Sequence, residues 1–241
     1  MKNHILKHIK NSKQKGEKLI AVLLDPDKIS NDDVSSCITA INKTEVSFIF
    51  VGGSTVTNGM TDPFVKKIKK LSSIPVVLFP GDHSQLTEEA DAVLFLSLLS
   101  GRNPEFLIEQ QIKSVNFLKE SALEIIPTGY LLIEGGIETS VQKVSKTTPI
   151  SQLNLQEILN TSIAAEYLGK QIIYLEAGSG ATTPVDPKII RSVTENTKIP
   201  IIVGGGIRTK QQLKNAFDNG ADLVVIGTAF ENNNEIFNSI I

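Results

Sequence analysis

The chain has 241 residues, 41% of them hydrophobic, which excludes intrinsic disorder and is long enough for one large core. A formal net charge of −2 gives no electrostatic reason to expect a nucleic-acid partner. The single cysteine, Cys37, excludes an intramolecular disulfide and suits a cytosolic protein. The stretch MKNHILKHIKNSKQKGEK has no long apolar run, so it is not read as a signal peptide, and no segment approaches the ~20 apolar residues of a spanning helix.

Residues 2–14 read as a helix with Ile5, Leu6 and Ile9 on one face and lysines around them. This face is expected to close the bottom of a barrel. Peripheral contact with an anionic membrane surface is the alternative, although three apolar residues make a weak anchor. His4 and His8 have the i, i+4 spacing of metal ligands, but no third ligand is evident.

Residues 18–24, KLIAVLL, form the first predicted strand and run into Asp25-Pro26-Asp27-Lys28, a loop because Pro26 cannot continue a ladder. Ser30 or Asn31 can cap a helix over about 31–42, and Cys37 falls inside it as a core residue. The second strand, 46–51, ends in Gly52-Gly53-Ser54-Thr55. A helix follows over 62–71, with Pro63 in its first turn. The third strand, 75–79, stops at Pro80-Gly81, and the fourth spans 92–96. The connection 80–91 is too short for a full crossover helix, so the outer ring is expected to have a gap there, filled at most by a helical turn.

A helix over 104–121 is capped by Asn103. The fifth strand lies within 124–133, with an irregularity at Pro127. Residues 134–153 have no clear periodicity and read as a functional loop or a concealed element. A helix over 155–168 is stopped by Gly169. The sixth strand belongs to QIIYLEAGSG, residues 171–180: an apolar run, then the carboxylate of Glu176, then the turn Ala177-Gly178-Ser179-Gly180. A helix begins near Pro187. IPIIVGGGIR, 199–208, and DLVVIGTAF, 222–230, repeat the strand-then-glycine arrangement on either side of a helix over 210–218, and a short helix closes the chain near 232–239.

Eight strands separated by helices predict a single domain, 1–241, folded as a (β/α)₈ TIM-type barrel, modified by a missing or reduced outer helix after the third strand. A doubly wound open sheet is disfavoured, because no G-x-G-x-x-G follows the first strand. In a barrel the carboxyl ends of the strands share one rim, which gathers Asp25, Ser54, Glu176, the glycine turns and Thr228. Three strands in series ending in such turns suggest a phosphate site. Asp25 and Ser54 offer the oxygen ligands that Mg²⁺ takes alongside substrate phosphates. Glu176 can serve as a general base or as a salt-bridged structural acid.

The motifs LLDPDK, FVGGST, LFPG, ADAVLFLSLLSGRNP, YLEAGSG, VGGGIR and IGTA together resemble geranylgeranylglyceryl phosphate synthase, over about residues 23–230. The resemblance implies a barrel lacking one outer helix. It implies a cytoplasmic, Mg²⁺-dependent prenyltransferase that joins sn-glycerol 1-phosphate to a polyprenyl diphosphate through an ether bond, and a homo-oligomer. Asp25 and Ser54 match the metal positions, with serine where threonine is often found. Tyr174, Leu175, Glu176, Ala177, Gly178, Ser179, Gly180, Gly205, Gly206, Gly227 and Thr228 match the glycerol-phosphate site. The AGSG turn resembles the geranylgeranyl branch more than the heptaprenyl branch. Three other readings stand beside it: a heptaprenyl-specific relative, a sugar-phosphate isomerase or lyase, and a non-catalytic phosphate-binding barrel. An open apolar slot beside the 80–91 connection, near Phe79, Leu94, Phe95, Leu96 and Leu98, is expected to hold the tail.

Overall fold

The computed structural model describes residues 4–30 and 32–227. Thr228, the cap at Asn31 and the helix predicted at 232–239 lie outside the described residues. Eight parallel strands close into a barrel in sequence order: β1 Leu19–Leu24, β2 Phe48–Val51, β3 Val76–Leu78, β4 Ala92–Leu98, β5 Glu124–Leu132, β6 Ile172–Glu176, β7 Ile201–Gly204 and β8 Leu223–Ile226. Around them run α1 His4–Lys15, α2 Asp33–Ile41, α3 Thr61–Leu71, α4 Gln110–Glu120, α5 Ser140–Ser145, α6 Leu155–Tyr167, α7 Pro187–Asn196 and α8 Lys210–Asp218.

The strands are apolar on both faces because each faces two cores. Phe48, Phe50, Leu94, Tyr130, Tyr174 and Ile202 fill the barrel interior. Val51, Leu78, Val93, Leu131, Leu175 and Val203 pack outward against the helices. Cys37 of α2 belongs to that outer layer, and burial followed by the nearby Asp33 carboxylate pushes its thiol up to about 12, so it is inert packing.

Helix α1 plugs the bottom of the barrel. Ile5, Leu6 and Ile9 are buried in the interior core. The exposed helix start is closed from across the chain: the buried carboxylate of Glu124 accepts the N–H groups of Ile5 at 2.8 Å and Leu6 at 2.9 Å. With its apolar face spent on the barrel, α1 has no such face left for a membrane. His8 packs edge-on against Phe48 at 5.5 Å, a packing role. Glu124→Ala should lower the unfolding free energy by ~3 kcal/mol, the scale of two hydrogen bonds to one charged group. A denaturant midpoint unchanged by the substitution would show that the plug does not depend on this cap.

Between β3 and β4 there is no α-helix, only a single 3₁₀ turn, His83–Gln85, whose start is capped by Asp82. The expected gap in the outer ring is therefore present. Other expectations need correction. The helix predicted over 104–121 begins as a π-helix, Glu105–Glu109, before becoming α4. Strand β5 runs unbroken through Pro127. Its missing N–H would face β6, whose pairing starts only at Thr128↔Ile172. Residues 134–153 hold α5, capped by Thr139, and an isolated bridge from Ile150 to Ile133.

Candidate active site

One open cleft of about 260 Å³ occupies the carboxyl-terminal rim and continues sideways through the gap between β3 and β4. Its rim half is walled by the ends of β6, β7 and β8, and by the loops after β1 and β2. Phe79, Tyr130 and Tyr174 face it from the barrel mouth, with Phe79 stacked on Tyr174 at 5.0 Å and 5°. Its lateral half is apolar: Leu86, Val93, Phe95, Leu96, Phe106 and Leu118.

Glu176 closes strand β6 and is 6% exposed. Its Oε1 accepts the Gly178 N–H at 2.7 Å. Burial pushes its carboxyl up to about 7, and the Gly178 N–H and the neighbouring Tyr174 hydroxyl offset part of the rise. That hydroxyl is buried and has no hydrogen-bond partner in good geometry. The two side chains cross over the end of β7. A Cβ on Gly204 would strike Glu176 Oε2 and come within 2.5 Å of the Tyr174 hydroxyl, so only glycine lets this pair sit side by side. At the next position, Gly205 has φ +81°, and a Cβ there would lie 2.5 Å from Glu176 Oε1. The glycine run after β7 thus gives room to the carboxylate as well as forming a backbone wall.

The expected phosphate residues divide. Tyr174, Glu176, Ser179, Gly180, Gly205, Gly206 and Gly227 all line the cleft. Leu175, Ala177 and Gly178 do not; the first two are fully buried in the outer core layer, because alternate residues of a strand face opposite sides, and Gly178 is buried beneath the turn. The Ala177 N–H is taken by the Gly204 carbonyl, and the Gly178 N–H by Glu176. The polar wall is therefore made by Ser179, Gly180 and the glycines of the next two strands.

Asp25 and Ser54 meet the cleft on the opposite side. Asp25 is buried; its Oδ1 accepts the Asp27 N–H at 3.1 Å and its Oδ2 pairs with Lys28 at 3.3 Å. The backbone after β2 is pressed against this carboxylate, since a Cβ on Gly53 would lie 2.7 Å from Oδ2. Among the described residues no group of three or more His, Cys, Asp or Glu side chains could hold a metal. One carboxylate beside one hydroxyl is nevertheless the donor set of an Mg²⁺ whose remaining ligands are water and substrate phosphate, so these residues fit that ion.

Residues 12–241 match the sequence profile of the PcrB family. The chain belongs to the PcrB family. It is 54% identical over 228 residues to the geranylgeranylglyceryl phosphate synthase of Zunongwangia profunda, covering 95% of this chain and 97% of that one. It is 50% identical over 235 residues to the Flavobacterium johnsoniae protein of the same name, covering 98% and 97%. The crystal structure of (S)-3-O-geranylgeranylglyceryl phosphate synthase from Thermoplasma acidophilum, in complex with sn-glycerol-1-phosphate, superposes with a TM-score of 0.92 at 31% identity, covering 98% and 95%.

This PcrB-family cleft also holds residues that sequence reasoning did not assign a role. Arg208 follows the glycine run and lines the cleft, with its guanidinium donating to the Gly180 carbonyl at 3.0 Å. Lys28 stands beside Asp25. Both were visible as cations directly after the motifs VGGGI and LLDPD. Phe106 and Gln111 were not, because their approach depends on the π-helix.

Proposed function

We propose that this protein is a prenyltransferase that forms an ether bond between sn-glycerol 1-phosphate and geranylgeranyl diphosphate, releasing diphosphate. The observation that carries this reading is the shape of the cleft. A glycine-rich polar end, a buried carboxylate and a long apolar arm belong to one continuous space. A sugar-phosphate isomerase has no use for the apolar arm. A phosphate-binding module gains nothing from a buried carboxylate beside its anion.

The glycerol phosphate binds against the backbone of Gly205, Gly206 and Gly227, with Ser179 and Arg208 beside it. Glu176 accepts the proton of the glycerol 3-hydroxyl as that oxygen attacks carbon 1 of the allylic chain. A carboxyl held near pH 7 is matched to this transfer. Asp25 and Ser54 would hold Mg²⁺, and that ion would supply charge neutralisation for the departing diphosphate. Lys28 adds a second positive charge on the diphosphate side. The tail passes Phe79 and leaves through the gap between β3 and β4, because the barrel centre is filled by side chains.

The direct test incubates the protein with labelled glycerol 1-phosphate, Mg²⁺ and geranylgeranyl diphosphate, followed by extraction into an organic phase. Label in the lipid fraction is expected, and label confined to the aqueous phase overturns the reading. Chain length gives a second expectation. Each CH₂ buried in the arm is worth ~0.8 kcal/mol, so kcat/KM should rise from three to four isoprene units. It should fall again at seven. If the seven-unit diphosphate is the best substrate, the protein is a heptaprenyl-specific enzyme.

A further inference from the structure

One aromatic side chain joins the two halves of the cleft. Phe79 follows β3, and its backbone belongs to the wall that carries Ser54 and Asp25. Its N–H donates to the Val51 carbonyl at 2.8 Å, and a Cβ on Gly52 would strike its carbonyl oxygen. Its ring leans across the barrel mouth and lies parallel to the ring of Tyr174 in β6. Tyr174 in turn sits beside Glu176 over Gly204. Phe79 therefore reaches from the Asp25 wall to the buried carboxylate.

Phe79 is also the accessible member of an aromatic cluster. Phe50, Tyr130 and Tyr174 pack around it with ring centroids 6.4, 5.9 and 5.0 Å away, and each of the three is at most 5% exposed. Phe79 itself is half-buried and lines the cleft. Tyr174 covers one face of its ring, so the opposite face is the one left for a substrate. The floor between the two halves is an aromatic face backed by further rings.

We propose that Phe79 is a catalytic residue that stabilises positive charge on the allylic carbons during transfer. This rests on the prenyltransferase reading above. With the diphosphate on the Asp25 wall and the glycerol 3-hydroxyl at Glu176, carbon 1 lies between them, over this ring. The bond from carbon 1 to the diphosphate oxygen breaks, and its electron pair leaves with the diphosphate. The glycerol 3-oxygen supplies the pair for the new bond, and its proton passes to Glu176. Between the two events carbons 1 and 3 of the chain share a positive charge. An aromatic face attracts a cation through its quadrupole. It has no lone pair with which to capture the carbon, whereas a carboxylate in the same place would be alkylated to an ester.

The test measures single-turnover rates with geranylgeranyl diphosphate in the wild type, in Phe79→Leu, and after site-specific replacement of Phe79 by mono-, di- and trifluorinated phenylalanine. Fluorine withdraws density from the ring face and barely changes its size, so packing on Tyr174 is retained. The rate should fall stepwise along the fluorinated series. Phe79→Leu should lose ~10-fold or more, the scale of a desolvated cation–π contact. Both substrates should bind nearly as before in every variant. Equal rates along the fluorinated series would make Phe79 an apolar floor for the tail and overturn the inference, whatever Phe79→Leu does. If the wild type itself yields no lipid product, it is the prenyltransferase reading that fails.

Discussion

Replacing Glu176 with glutamine is expected to lower turnover by ~100-fold or more, the usual scale for loss of a general base. Glutamine keeps the shape and can still accept the Gly178 N–H, so glycerol 1-phosphate should bind nearly as before. In the unaltered protein, turnover should climb as pH rises through about 7, where the carboxyl loses its proton. The same substitution carries a stability signature of opposite sign. The folded state raises this carboxyl from 4.5 to about 7 by burial, so the native protein holds a proton that the unfolded chain has released. Stability from this group is complete below pH 4.5 and declines as pH rises to about 7. Above that, the ionised carboxylate costs on the order of 3 kcal/mol. Glu176→Gln should therefore be more stable than the wild type at pH 8 and no more stable at pH 4, while being nearly inactive at both. Normal turnover in the variant would remove Glu176 from the reaction.

Asp25→Ala should act on the other half of the site. Asp25 lies against Gly53 and Lys28, on the wall away from the glycine run of β7. Its loss should reduce kcat/KM for prenyl diphosphate by ~100-fold or more, comparable to deleting one group that stabilises developing charge. The Mg²⁺ concentration needed for half-maximal rate should rise as well. Glycerol 1-phosphate affinity should stay close to that of the wild type. Titrating both ligands into the variant checks this, and equal weakening of the two would mean that the halves of the cleft are one site.

The barrel was legible because the strands are apolar runs followed within a few residues by a glycine or proline, and because Pro187 opens α7 and Gly169 follows α6 where the pattern places them. The rim chemistry was legible for the same reason: a strand fixes where its last residue points, so Glu176, Gly205 and Asp25 follow from strand ends alone. Motif membership was a poorer guide than strand alternation. Leu175 and Ala177 lie inside the YLEAGSG motif yet point away from the cleft. The π-helix left no mark in composition, since one additional residue in a turn changes the helix face without changing residue type. Helix α5 was hidden by its length; SVQKVS is too short to display a period, and Lys146, at φ 52°, ends it where glycine would have been the usual sign.

The brevity of β3 has a consequence beyond substrate binding. A closed barrel offers no free edge to another chain, but a barrel with one short strand regains a segment of edge beyond Val93. An apolar stretch such as Leu94–Leu98, left by β3 on one side, is the kind of template on which a second polypeptide can add as a strand and start aggregation. The chain guards this stretch with polar and angular groups. Pro80 can donate no ladder hydrogen bond, the 3₁₀ turn at His83 crosses in front, and His83 is tied to Gln110 through its ring at 2.9 Å. The aperture in the wall of this barrel is thus also the place where the chain guards itself against strand addition.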